Sequence, residues 1–441
     1  MNWALDAVAQ VTGAVLHGGR VRVTSVVTDS RQVVPGALFV ALRGERHDGH
    51  DFTDAALDAG AAAVMIEKGS GITSMPRVEV RDSLEALRAL AIQRRGELAA
   101  PVAGITGSTG KTSTKDLLAA ALGPGAFKSP YSYNNEVGVP LTVLGTPDAA
   151  TALVAEVGSR GVGDITWLAP AVRPDVVVIT SIGPSHLATF GDEQTVLIAK
   201  WELIEALGPD GIAILPAWDD RLTKRRNRGV ITFGEETGDV AAKDITLDDR
   251  ARPSFRLRSP QGEARVALRM AGRHQALNAA AAAAAALAMG VEMEDAVTRL
   301  AGADGSPWRM EVHPGPVTVV NDAYNANPAS MASALLTVAA MPGRHLAVLG
   351  MMRELGAATI EEHRAVGALA HRLGFTAVLV VGEDPGMAAA AGQVGKRVDT
   401  QKEAIDVVRG LMRPGDVVLV KASRAEGLER LAAEIIAEVS P

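Results

Sequence analysis

The chain has 441 residues, too many for one hydrophobic core, and at about 150 residues per domain it divides into three. Apolar residues make up 47% and charged residues 22%, an ordinary globular balance that excludes a disordered chain. Lys and Arg number 44 against 51 Asp and Glu, a formal charge of −7 (44 − 51) with no long basic run, so neither nucleic acid nor a membrane surface is an expected partner. With no cysteine, disulfides, thiolate metal sites and thiol nucleophiles are excluded.

Residues 1–98 open with an Ala-rich helical pattern and continue as short alternating segments, Val21–Val27 and Ala37–Ala41, which predict a small α/β domain. The polar stretches Thr28–Arg31 and Arg43–Phe52 fall on its rim, and Arg88–Ala99 reads as a helix leading out. The first residues carry no basic segment followed by an apolar core, so no signal peptide is expected. The alanine-rich stretch Ala276–Met289 is short and interrupted by Asn278, and reads as a closely packed helix rather than a membrane span. A cytoplasmic location is expected.

Residues 99–313 alternate apolar strands with helices, the pattern of a mostly parallel sheet covered on both faces. Its first strand, Pro101–Ile105, runs into Gly104-Ile-Thr-Gly-Ser-Thr-Gly-Lys-Thr-Ser113 and then a helical pattern, Lys115–Leu122. Glycines at 104, 107 and 110 let the backbone turn its N–H groups toward an anion at the positive end of the helix; Lys111 adds a point charge, and the Thr112 hydroxyl suits magnesium. The usual phosphate-loop spacing, Gly-x4-Gly-Lys-[Ser/Thr], is missed by one place, because position 105 is Ile. Further strands are expected at Ala152–Val157, Asp175–Thr180 and Gly211–Leu215. Glu156, His186 and the pair Asn134 and Asn135 stand at or near strand ends, where ligands of such sheets collect, and Lys200 follows on a helix, Thr195–Leu207. Taken singly, a strand-end glutamate, a loop histidine and a helix-face lysine have ordinary structural explanations.

Residues 314–441 restart the alternation without a phosphate loop. Strands are expected at Val317–Val320, His345–Leu349, Ala377–Val381 and Asp416–Val420, and helices at Pro328–Met341, Thr359–Leu373 and Ala425–Val439.

In order and content these motifs resemble the Mur ligases of cell-wall synthesis over essentially the whole chain. That family's shortened phosphate loop, Thr-Gly-x-x-Gly-Lys-[Thr/Ser], matches Thr106–Thr112, and its Asn-Asn-x-x-Gly-x-Pro-Leu-Thr stretch matches Asn134–Thr142. The resemblance implies three domains: a small N-terminal α/β domain, a central ATPase-like parallel sheet and a C-terminal Rossmann-like domain. It implies ATP bound by Gly107, Ser108, Thr109, Gly110, Lys111, Thr112 and Ser113, with His274 and Asn278 (from Gly272–Asn278) near the adenine, Arg309 toward the γ-phosphate and Asp322 on the ribose. It implies two magnesium ions served by Thr112, Glu156, His186 and Lys200, the lysine being carbamylated; a carbamate can bind a cation where an ammonium cannot. Lys111, His186, Lys200 and Arg309 carry the catalysis in this reading.

Asn321-Asp-Ala-Tyr-Asn-Ala-Asn-Pro328 resembles the hallmark of the branch that joins D-alanyl-D-alanine to a UDP-N-acetylmuramoyl-tripeptide in peptidoglycan precursor synthesis. The substrates would then meet Asp29, Ser30, Arg31, Asp48, Gly49 and His50 at the UDP-sugar end, Asn134 and Asn135 in the centre, and Tyr324, Asn325, Asn327, Lys421, Ser423 and Arg424 around the dipeptide. A monomer is expected. Two positions depart from the family pattern: Ser132, where many relatives have Asn, and Met351, in Leu-Gly-Met-Met rather than Leu-Gly-Asp-Met. The competing readings are a Mur-type ligase adding a single amino acid, a phosphate-loop ATPase acting as a switch or motor, and a binding protein with a degenerate nucleotide site. The ATPase needs an acid at a strand end, whereas its candidate, Asp175, begins a strand.

Overall fold

Strand Val102–Thr106 is buried along its whole length in a computed structural model that describes residues 1–44, 47–184, 187–225 and 229–439. Successive side chains of a strand point to opposite faces, so Ala103 and Ile105 enter one core and Val102 another, which is why the run is continuously apolar. Among the described residues this strand is the seventh of nine in a sheet ordered Gly262–Ala267, Pro253–Ser259, Val240–Leu247, Gly229–Glu235, Ile212–Pro216, Val176–Ile179, Val102–Thr106, Ala152–Glu156, Ala126–Lys128. Seven strands pair in parallel; Pro253–Ser259 and Gly262–Ala267 add an antiparallel edge. That edge was not anticipated, although Pro253–Ser259 has the period-two burial of a half-exposed strand.

The alanine-rich helix spans His274–Ala288, and Ala279–Ala286 are all fully buried against the sheet and helix Lys111–Leu122. Side chains this small let the helix approach closely, so its uniform apolarity is a packing property. No helix of the described residues is long and apolar enough to cross a membrane.

Helices begin where a side chain can cap them, often earlier than apolar periodicity suggests. Helix Ser83–Glu97 starts five residues before the expected Arg88 because Asp82 accepts hydrogen bonds from the N–H groups of Leu84 and Glu85. Helix Glu193–Glu205 is capped by Asp192 in the same way. The last helix starts at Leu428, not Ala425, because Gly427 takes a left-handed conformation (φ +66°).

The N-terminal sheet runs Val15–His17, Arg77–Val80, Ala63–Glu67, Ala37–Val40, Ser25–Val27, and its core is continuous with one core of the central sheet. Helix Ser83–Glu97 forms the joint: Arg94 donates to Thr146 O (2.6 Å), and Arg95 to Val172 O (2.8 Å) and Arg173 O (3.0 Å). These guanidinium groups satisfy carbonyls at the ends of helices Gly138–Gly145 and Asp164–Val172, which no intrahelical donor reaches. Asp175 belongs to this joint, accepting from Val102 N at 2.8 Å. The C-terminal sheet, Glu311–His313, Thr318–Asn321, Val417–Lys421, His345–Leu349, Ala377–Val381, Gly395–Val398, is parallel except for its first pair and has a separate core on each face.

In that last unit helix Thr359–Arg372 lies against helix Met387–Ala390 at Gly367, where a Cβ would fall 2.0 Å from Met387 O. Gly367→Ala should therefore cost about 1–3 kcal/mol through overpacking. The expected readout is an earlier thermal transition, and an unchanged melting curve would contradict this packing.

Candidate active site

The parallel order leaves a crevice beyond the carboxyl ends of Val102–Thr106 and its neighbours, Ala152–Glu156 and Val176–Ile179. Residues 107–110 turn strand into helix there, and the turn needs two glycines. Gly107 (φ +142°) lies where a Cβ would be 2.1 Å from Thr180 Oγ1, and Gly110 (φ +83°) where it would be 2.7 Å from Asn278 Oδ1. The loop is pinned from the next strand, with Ser108 N donating to Ser181 O (2.9 Å) and Thr109 N to Ser181 Oγ (3.1 Å). Lys111 Nζ folds back onto Gly107 O (2.5 Å), and burial pulls its pKa below the usual lysine value, against the opposing pull of Glu156.

Glu156 is buried, and its two oxygens have different partners: Thr112 Oγ1 donates to Oε2 (2.9 Å) and Asn134 Nδ2 to Oε1 (2.7 Å). Ser132 Oγ lies 3.1 Å from Thr112 Oγ1 and accepts from Arg309 Nη2 at 3.0 Å. The departure at Ser132 thus sits between the loop and the arginine. Lys200, also buried, donates to Ser159 Oγ (2.7 Å) and Ser159 O (3.3 Å). Burial and then the Lys111 ammonium push its pKa well below the usual lysine value. Among the described residues no three His, Asp or Glu side chains gather as a cation cage. The expected ligand His186 lies outside the described residues.

The C-terminal unit closes the crevice through residues 308–327 and 421–424. The guanidinium of Arg309 stacks 4.1 Å from the Tyr324 ring centre, and its buried Nε has no hydrogen-bond partner among the described residues. Asp322 accepts from Met310 N (2.9 Å) and Lys421 Nζ (2.6 Å). Arg424 stacks on Trp308 (4.7 Å) and lies 5.9 Å from the Tyr324 ring. His274 faces Asp322 and Lys421 from the central unit, and burial holds its imidazole below the usual pKa.

One cavity of about 1310 Å³ gathers most of the expected residues. Its wall includes Ser108–Ser113, Asn134, Asn135, Glu156, Lys200, His274, Asn278 and Arg309, with Asp322, Tyr324, Asn325, Asn327, Lys421, Ser423 and Arg424 opposite. Several of these are already engaged. Asn327 caps helix Pro328–Ala339, Asn135 Oδ1 accepts from Gly138 N (2.9 Å), and Ser423 Oγ accepts from Arg353 N (2.9 Å).

The expected UDP-sugar residues do not line that cavity; of their strand end only Thr28 does. Asp29 and Arg31 pair with each other at 2.7 Å on an exposed rim beside Ser30. Asp48 caps the turn Gly49–Phe52, and both His50 ring nitrogens are used, by Asp48 Oδ1 (2.6 Å) and Glu67 N (2.9 Å). Since Nε2 accepts a backbone N–H, the His50 proton sits on Nδ1, and the residue braces the fold. Gly49 is required there, because a Cβ would lie 2.6 Å from Leu42 N.

Sequence reasoning passed over Ser159, Glu85 and Trp167. Trp167 Nε1 donates to Glu85 Oε1 (2.8 Å) and its ring lies under Arg88 (4.9 Å), extending the cavity wall toward the N-terminal unit. Ser159 follows Glu156 by three residues, a position that strand-end reasoning could have reached; Trp167 carried no local signal. Met351 is buried, and its carbonyl accepts from Ser423 N (3.0 Å).

Comparison with known proteins gives the arrangement its context. Family models match at residues 22–95 ("Mur ligase family, catalytic domain"), 105–286 ("Mur ligase middle domain") and 308–424 ("Mur ligase, glutamate ligase domain"). A UDP-N-acetylmuramoyl-tripeptide--D-alanyl-D-alanine ligase of Mycobacterium tuberculosis (strain ATCC 25618 / H37Rv) is 37% identical over 95% of this chain and 93% of its own. A MurF crystal structure from Acinetobacter baumannii superposes with a TM-score of 0.89 at 31% identity, covering 99% of each chain. MurF of Thermotoga maritima in complex with ADP does so with a TM-score of 0.82 at 31% identity, over 94% of this chain and 97% of that one. With family models matching in three successive stretches and such likeness over nearly the whole length, the chain belongs to the Mur ligase family, in its MurF branch.

Proposed function

We propose that this protein joins D-alanyl-D-alanine to a UDP-N-acetylmuramoyl-tripeptide, coupled to conversion of ATP to ADP and phosphate. The observation that carries the reading is one cavity lined by loop residues 108–113, the Thr112–Glu156 pair, Lys200 and, from the hallmark, Asp322 and Tyr324–Asn327. The acceptor carboxylate oxygen attacks the γ-phosphorus, and the bond to the bridging oxygen breaks, giving an acyl phosphate and ADP. The dipeptide amine nitrogen then attacks the acyl carbon and gives up a proton, and phosphate leaves with the electrons of the acyl carbon–oxygen bond.

The loop N–H groups and Lys111 hold the transferring phosphate, and Arg309, whose buried Nε has no partner among the described residues, meets developing negative charge. His274 and Asn278 border the base, and Asp322 takes the ribose. The donor set fits magnesium: a buried carboxylate with a hydroxyl beside it, the phosphates completing the shell, as suits an ion that needs few protein ligands. Thr112 and Glu156 would hold one ion, with His186 and a carbamylated Lys200 serving a second; such ions supply neutralisation of phosphate charge. Residues 1–98 take the UDP end of the acceptor, the central unit the nucleotide and the C-terminal unit the dipeptide; the joint between the last two falls before strand Glu311–His313, which pairs with Thr318–Asn321 in the C-terminal sheet, and not at the expected 313/314. We place the monomeric enzyme in the cytoplasm, where nucleoside triphosphates and UDP-linked precursors are found.

The test is phosphate release from ATP with each substrate omitted in turn. Turnover should need both the dipeptide and the UDP-linked tripeptide, and a single amino acid should not replace the dipeptide. Phosphate release at the full rate without the acceptor would sink the ligase reading. A second measurement addresses the acceptor end. Arg31→Ala should raise KM for the UDP-linked tripeptide by about tenfold, the loss of one charge-assisted hydrogen bond. An unchanged KM would remove the exposed 29–31 rim from the binding site.

A further inference from the structure

We infer that Lys421 is a positioning residue that holds Arg309 at the joint between the central and C-terminal sheets, acting through Asp322 and the backbone of Met310, and does not contact the dipeptide. The inference rests on the proposed reading of Arg309 as the charge facing the phosphate.

Strand Val417–Lys421 runs parallel to Thr318–Asn321, with Val420 opposite Asn321, so Lys421 ends its strand beside Asp322. Its side chain is 2% exposed, and Nζ donates to Asp322 Oδ2 (2.6 Å) and Asn325 O (2.8 Å). Such an ammonium has little left to offer a substrate. Asp322 Oδ1 accepts from Met310 N at 2.9 Å, so the two carboxylate oxygens tie the end of one strand to the joint.

The joint needs that tie. Trp308 (φ +60°) and Met310 (φ +51°) both lie in the left-handed region that disfavours side chains, with Arg309 between them. A strained backbone persists only where its surroundings hold it, and three hydrogen bonds do so. They are Trp308 N to Glu311 Oε2 (3.1 Å), Tyr324 N to Trp308 O (3.1 Å) and Met310 N to Asp322. From this backbone Arg309 reaches both the Tyr324 ring and Ser132 Oγ. Without Lys421 the Asp322 carboxylate is buried without its counter-charge; it turns to water, releases Met310 N–H and lets the 308–310 segment relax. Burial lowers the Lys421 pKa while Asp322 raises it, as expected of a paired internal lysine.

The test is a double-mutant cycle. Lys421→Met, which keeps length and removes charge, should lower kcat about 10–100-fold, the range for misplacing one group at the reacting centre, with KM for D-alanyl-D-alanine within about threefold. Lys421→Arg, which can still pair with Asp322, should recover most of the rate. If Lys421 works through Arg309, the double variant Lys421→Met/Arg309→Ala is no slower than Arg309→Ala alone. Multiplied losses in the double variant, or a raised dipeptide KM with kcat intact, overturn the inference. Should Lys421→Met fail to fold, Asp322→Asn provides a background in which an amide still accepts from Met310 N and in which adding Lys421→Met leaves no buried carboxylate without its counter-charge. There Lys421→Met should lose most of its effect on kcat, and an undiminished effect overturns the inference. A wild-type rate in Arg309→Ala alone would instead retire the role given to Arg309, and with it this brace.

Discussion

Lys111→Ala yields a folded protein that ligates about three orders of magnitude more slowly than the wild type. The side chain stands on the first turn of helix Lys111–Leu122, where a cation opposes the helix dipole, and its hydrogen bonds go to carbonyls of its own loop, Gly107 and Ser108. Removing it should leave the thermal midpoint unchanged or slightly higher, because the helix terminus gains as the charge goes. On the proposed reading, a lysine set against the local electrostatics and partly buried is there for an anion. An arriving phosphate draws Nζ from Gly107 O to the oxygens where negative charge develops, and loss of such a preorganised charge costs about 10²–10³-fold or more. Steady-state rates with a melting curve on the same preparation check this. Wild-type kcat in a folded Lys111→Ala protein would remove the phosphate-loop assignment.

On the proposed carbamate, Lys200→Ala should lose nearly all activity, about a hundredfold or more, because a cation ligand and its negative charge would vanish together. The structure supplies a reason for the lysine to be modified. Its amine is buried beside Ser159, and burial together with the Lys111 ammonium favours the neutral form. A neutral amine can attack the carbon of carbon dioxide and release a proton to solvent, leaving a carbamate whose two oxygens suit magnesium. Acetate added in solution should therefore restore part of the rate of Lys200→Ala, since it can occupy the vacated space and bind the metal, whereas Lys200→Phe fills that space and resists rescue. Rescue by ethylamine and not by acetate would show an ammonium at work and exclude the carbamate. Near-normal activity without any addition would return Lys200 to an ordinary helix residue.

Local patterns made much of the site legible. The Gly104–Ser113 stretch announces its turn because glycine spacing, a lysine and a following helix are all local; Gly107 and Gly110 take the positive φ angles that the spacing implied. Glu156 and Lys200 follow from element ends, and each shows its full burial only in three dimensions. The N-terminal rim was less legible. Asp48 and His50 read as hydrogen-bonding groups for a ligand, yet the fold uses them itself, since a turn cap and a backbone N–H at Glu67 take both ends of the pair.

By itself the sequence determined the three α/β units, the glycine turn from strand to helix at 107–110, the hallmark Asn321–Pro328 and the branch of the family, because strand and helix periods, glycine conformations and motif strings are properties of neighbouring residues. Tertiary structure decided which of these residues share a cavity and what each is free to do. Lys421, read as a contact to the dipeptide, proves to be paired with Asp322 across 99 positions of sequence, and Trp167 and Glu85 meet only because the helices Asp164–Val172 and Ser83–Glu97 pack together. The physical reason is range: a buried charge must find its partner wherever the fold brings one near, and no local period records where that is.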